Sequence, residues 1–93
     1  MLIYKDLFFS DKLKNKKNKI INALRHGKLI DPNVYVIYLN DNTNLPELMQ
    51  GYFFNQIYFQ IKKVKIIGIT ASKDEGIDFL TDYITRSYDS ELM

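Results

Sequence analysis

The stretch 64–76, VKIIGITASKDEG, most constrains what this chain can fold into. Val64, Ile66, Ile67 and Ile69 form a β-branched run that suits a pleated, buried surface. Ser72, followed three residues later by Glu75, is the pattern of a capped helix start. The segment therefore reads as strand, tight loop and helix. One other stretch, 34–39, has comparable strand character, and it carries large side chains on both faces. Val34, Val36 and Tyr38 point one way, and Tyr35, Ile37 and Leu39 the other. Strands covered on both faces lie inside a sheet, so these two runs are expected to form its middle, with helices packed on it.

With 93 residues the chain is expected to form one domain, 1–93, able to bury a core without metal or disulfide staples. The absence of cysteine excludes a disulfide framework, a thiolate nucleophile and a cysteine zinc site, and the single His26 excludes a multi-histidine metal site. Lys5 and Asp6 interrupt the apolar N-terminal run, which offers neither a signal-peptide core nor a membrane span; a cytoplasmic location is expected. Net charge is +2, but it is unevenly placed. Residues 1–31 carry eight Lys or Arg against Asp6, Asp11 and Asp31, whereas residues 71–93 set Lys73 and Arg86 against six acids. A basic head and an acidic tail fit a nucleic-acid partner, and they equally fit mutual neutralisation within a fold or across a dimer.

In chain order, 2–9 reads as a short strand and 11–26 as a helix capped by Asp11 and stopped at Gly27, with Leu13, Ile20, Ile21 and Leu24 on one face. Lys17 intrudes on that face, so either it snorkels or the stable helix begins after it. Lys12, Lys14, Lys16, Lys19 and Arg25 could meet phosphates. They spread around the whole polar face with no aromatic platform between 11 and 30, which favours a solvated surface. His26 reads as a cation near a helix C-terminus. Asp31-Pro32-Asn33 is turn chemistry.

The segment 45–61, LPELMQGYFFNQIYFQI, is expected to be helical with a kink or break at Gly51. Phe54, Ile57, Tyr58 and Ile61 form its stripe, leaving Tyr52, Phe53 and Phe59 to find other cover. Tyr52, Phe53, Phe54, Tyr58 and Phe59 are thus candidates for an interface, with a fully buried helix as the alternative. The last helix, from 73 to about 88, is expected to bury Ile77, Leu80, Ile84 and Tyr88.

Strand, helix and strand in this order predict a βαβ unit in which 34–39 and 64–70 run parallel. The fold class is then α/β: a small two- or three-stranded, at least partly parallel sheet packed with three helices. Parallel strands would bring Asn40, Asp41, Asn42, Thr70 and Ser72 to one carboxyl edge, the usual ligand position of open α/β sheets. That loop lacks glycines, and Asp74 and Glu75 already occupy the first turn, which disfavours phosphate; the acids read as caps, and no metal or cofactor is expected. No nucleophile with a base and no nucleotide-binding fingerprint is present.

Two resemblances bear on this reading. IIGITASKDEG resembles the fourth strand and following loop of two-component receiver domains, with Thr70 and Ala71 as the strand-end pair. The acidic pair and strand-end lysine of that family have no counterpart here, so no phospho-acceptor is carried over. Along most of the chain, YKDLFFS, a Lys-rich helix ending in Gly27-Lys28-Leu29, PNVYVIYL, an aromatic helix, KIIGIT and DEGIDFLTDYI together resemble a group of small uncharacterised α/β proteins of Gram-positive bacteria. Thr70 stands where that group usually has Ala, and Lys73 and Gly76 depart from its loop. The resemblance implies a standalone cytoplasmic bacterial domain and supplies no activity. The expected role is a non-catalytic interaction or regulatory module, forming a homo-oligomer or binding a protein partner through the aromatic helix. Nucleic-acid binding by the basic helix is the nearest rival, and a small-ligand or metal-dependent enzyme at the strand edge is the third.

Overall fold

The computed structural model describes residues 2–40, 45–57 and 64–92. Its elements are β1 (Leu2–Phe9), a 3-10 segment (Asp11–Lys16), α1 (Lys17–Arg25), β2 (Tyr35–Asn40), β3 (Pro46–Gln50), α2 (Gly51–Ile57), β4 (Val64–Thr70) and α3 (Lys73–Leu92). The four strands form one mixed sheet in the order β1-β4-β2-β3. The two strongest strand sequences, β2 and β4, are its inner strands. Val36, Ile37 and Tyr38 are all buried, as large side chains on both faces require.

The parallel pair is β1 with β4; β2 runs antiparallel to both β4 and β3. This corrects the expectation that 34–39 and 64–70 lie parallel. The cause lies in 45–61, which is not one kinked helix. Residues 46–50 pair along β2 from Leu39↔Pro46 to Tyr35↔Gln50, and the helix begins only at Gly51. A Cβ on Gly51 would collide with the backbone carbonyl of Asp31, and the Gly51 N–H donates to the Val34 carbonyl at 2.6 Å. Only a glycine permits that approach. The βαβ unit therefore exists, but its first strand is β3: both β3 and β4 oppose β2, so they run the same way with β2 between them.

One face of the sheet presents Val36, Tyr38, Ile66 and Ile69 to Leu13, Ile20 and Leu24 from the 3-10 segment and α1 and to Phe54 from α2, in a single core. Ser10, not Asp11, caps the N-terminal turn, its Oγ accepting from Lys12 N at 3.3 Å. The regular helix begins at Lys17, whose ammonium lies 5.8 Å from the Phe9 ring centroid, so the intruding lysine marks the helix start. Gly27 ends it at φ 67°, with Lys28 N donating back to the Ala23 carbonyl.

The opposite face receives α3. Pairing shifts between Ile37↔Gly68 and Tyr38↔Ile66, leaving Ile67 as an extra residue. This bulge turns Ile66 toward the α1 side while Gly68 faces α3. A Cβ on Gly68 would lie 3.2 Å from Ile37 Cδ1 and 3.3 Å from Phe79 Cε1, so the glycine lets α3 sit close. Phe79 stacks on Phe8 at 4.8 Å. Ile77 and Ile84, expected inside, are exposed, because α3 turns Gly76 and Phe79 toward the sheet instead. Gly76 would touch Leu48 and Thr70 if it carried a Cβ, so it too faces the sheet at close range.

Candidate functional site

The proposed ligand edge does not assemble. Asn40 pairs with Val64 and Tyr35 pairs with Thr70, so Asn40 and Thr70 flank opposite ends of β4, roughly 20 Å apart at the usual rise per residue. Antiparallel pairing is the reason, and Asp41 and Asn42 lie outside the described residues. Thr70 is fully buried and its hydroxyl donates to the Ser72 carbonyl at 2.9 Å. Ser72 Oγ accepts from Glu75 N at 3.2 Å, and Glu75 Oε1 accepts from Ala71 N at 3.1 Å. These groups are consumed in capping α3, as the Ser-x-x-Glu spacing implies. Among the described residues no group of three or more His, Cys, Asp or Glu could hold a metal ion.

The basic residues lie where they can meet a partner, and two of them, Lys16 and Lys19, line a cavity of about 340 Å³ with Ile20, Ala23, Leu29 and Asp31. Lys12, Lys14, Lys16, Lys19 and Arg25 are all exposed on the 3-10 segment and α1. Lys16 Nζ is 3.4 Å from Asp31 Oδ2, an exposed ion pair of little energetic weight. Asp31 is mainly a turn residue, its Oδ1 accepting from Asn33 N at 2.9 Å. Because α1 and α3 cover opposite faces, the basic head and the first acids of α3, Asp74, Glu75, Asp78 and Asp82, are separated by the sheet and do not neutralise one another in contact.

The aromatic candidates divide. Phe54 is fully buried and packs its ring 6.2 Å from that of Tyr38, so it belongs to the core and is not available to a partner. Tyr52 and Phe53 are each 52% exposed and form an edge-to-face pair at 5.2 Å. Tyr58 and Phe59 lie outside the described residues. A helix cannot put three successive side chains into one core, which is why adjacent aromatics separate this way.

The exposed pair stands on a fixed base. Gly51 N donates to the Val34 carbonyl, and Tyr52 N donates to the Pro32 carbonyl at 3.1 Å. Asn55, which the sequence pattern does not single out, satisfies both backbone groups of Ile30: its Oδ1 accepts from Ile30 N at 2.9 Å and its Nδ2 donates to Ile30 O at 2.8 Å. The only signal for it in the sequence is the polar pair Asn55-Gln56 inside an aromatic run. These bonds satisfy two of the orphan donors of the first turn of α2, those of Gly51 and Tyr52, and tie the helix to the loop before β2. Beside Phe53 a groove of about 510 Å³ opens, lined by Tyr35, Leu48, Met49, Gln50, Phe53 and Lys73. It runs next to β3, the outer strand.

Tyr38 is buried opposite the exposed Glu47 across the β2–β3 pair. Burial first, and then the neighbouring Glu47 carboxylate, push the phenol from 10.0 to about 12.

Fold and site together define a small α/β protein with a four-stranded mixed sheet and a rigidly mounted aromatic pair at one sheet edge. No protein-family model, curated protein or solved structure matches the chain.

Proposed function

We propose that this protein is a non-catalytic interaction module that self-associates, as a homodimer, through the surface made by Tyr52, Phe53 and the adjoining groove. The observation that carries the reading is the exposed aromatic pair mounted on a hydrogen-bonded helix start. Aromatic anchors held rigid before binding lose little entropy on association, and such residues dominate binding energy at interfaces. The groove beside them adds Leu48 and Met49, both only half-buried. Among the described residues no helix is long and apolar enough to cross a membrane.

Light scattering behind size exclusion, at low and high salt, tests this. The expected result is a dimer that persists in high salt, because apolar burial is not screened, and that becomes a monomer when Tyr52 and Phe53 are both replaced by Ser. A wild-type monomer under both conditions would count against it.

A second reading, nucleic-acid binding, is supported by one observation: the exposed lysines of the 3-10 segment and α1 lie on the face of the sheet opposite the acidic α3. It requires affinity that falls steeply with salt and weakens in a Lys16→Glu, Lys19→Glu variant.

A further inference from the structure

We infer that the outer edge of β3 is the seam of the self-association proposed above, pairing antiparallel with β3 of a second copy to make one continuous eight-stranded sheet. The direction of each backbone group on β3 follows from the ladder. Gly51 N donates to the Val34 carbonyl, and hydrogen-bonded and non-hydrogen-bonded positions alternate in an antiparallel pair. Met49 and Glu47, opposite Val36 and Tyr38, therefore direct their amides and carbonyls at β2. Leu48 and Gln50 direct theirs outward, and so does Pro46, which has no N–H to donate. Among the described residues no strand pairs with this edge.

That outward pattern is complementary to itself. With a two-fold axis at Leu48 the five-residue strands overlap in full. The Leu48 amides and carbonyls of the two copies exchange two hydrogen bonds, and each Gln50 N–H donates to the Pro46 carbonyl of the other. The missing N–H of Pro46 costs the seam only one donor per copy. The same axis brings exposed Leu45 of one copy beside the first turn of the partner's α2, where Tyr52 and Phe53 are exposed. The opposite edge strand, β1, is guarded by exposed Lys5 and Asp6 in mid-strand, whereas β3 carries one charge, Glu47, and one edge proline, Pro46, confined to its first residue. An antiparallel edge pair of this kind is a closed, isologous interface and stops at two copies.

Amide hydrogen exchange of the wild-type protein, followed by NMR at dilute and concentrated conditions, tests the seam without any variant. The Leu48 and Gln50 amides are expected to exchange at least tenfold more slowly in the concentrated sample, while Met49 and Glu47 stay protected in both. Fast exchange of Leu48 and Gln50 in a sample that is dimeric by light scattering overturns the seam, as does protection independent of concentration. Gln50→Pro removes an outward N–H that β2 does not use; it is expected to weaken dimerisation at least tenfold with the far-ultraviolet spectrum unchanged. The seam rests on the self-association reading, and the two fail differently. A dimer abolished by the Tyr52 and Phe53 replacements but untouched by a folded Gln50→Pro variant sinks the seam alone, whereas a wild-type monomer at every concentration sinks both.

Discussion

The two faces of the sheet are built by different rules. On the α1 side, Leu13, Ile20, Leu24 and Phe54 interdigitate with Val36, Tyr38, Ile66 and Ile69, and the buried side chains form one continuous core. On the α3 side a single helix covers the sheet by close backbone approach at Gly68 and Gly76, with one stacked ring pair, and leaves Phe8, Ile77 and Ile84 partly in water. The first face is stabilised by area removed from water. The second is positioned by what glycine permits. The difference teaches that a helix's apolar stripe does not by itself decide which side it buries when steric access is set elsewhere.

Breaking the interdigitated face should have the largest effect. Leu24, 2% exposed, leaves a cavity when truncated, and Leu24→Ala is expected to cost ~2–5 kcal/mol in a denaturant titration. The glycines sharpen the comparison. In Gly51→Ala the new Cβ meets backbone, which cannot step aside, so a loss of ~1–3 kcal/mol is expected. In Gly76→Ala the contacts are Leu48 Cδ1 at 2.8 Å and Thr70 Oγ1 at 3.1 Å, both ends of side chains. Their adjustment is offset by a helix-propensity gain of about 1 kcal/mol, and the net change should stay within about 1 kcal/mol. A loss for Gly76→Ala equal to that of Gly51→Ala would erase the distinction between the faces.

Tyr38 gives the α1 side a pH signature. Its phenol is raised from 10.0 to about 12, so the folded protein holds this proton more tightly than the unfolded chain does. The corresponding stability is fully present below pH 10 and is lost as pH rises from 10 through about 12. Melting curves across that window should show a steeper fall for wild type than for Tyr38→Phe, which has no phenol to titrate and should differ from wild type by no more than about 1 kcal/mol at neutral pH. Ile84, 49% exposed on α3, should contribute least: Ile84→Ser is expected to change stability by no more than ~0.5 kcal/mol.

Much of this was legible along the chain. The strands 34–39 and 64–70, the stop at Gly27, the turn at Asp31 and the Ser72 and Glu75 cap each depend on neighbouring residues, and each could be read from them. The failures share a cause. Residues 46–50 became a strand because β2 had an open side for them, Ile77 and Ile84 stayed outside because Gly76 faced Leu48, and the ligand edge vanished because β2 and β4 run opposite ways. None of these is a property of a short window.

The sequence by itself determined the α/β class, the two inner strands, the Ser72–Glu75 cap, the stop at Gly27 and the break at Gly51, since propensity, capping and glycine chemistry act over a few residues. Only the tertiary structure decided which strands are parallel, which face of α3 is buried, and that Phe54 enters the core while Tyr52 and Phe53 remain outside. Those outcomes depend on distant segments competing for the same space, and a one-dimensional pattern does not record which of them arrives.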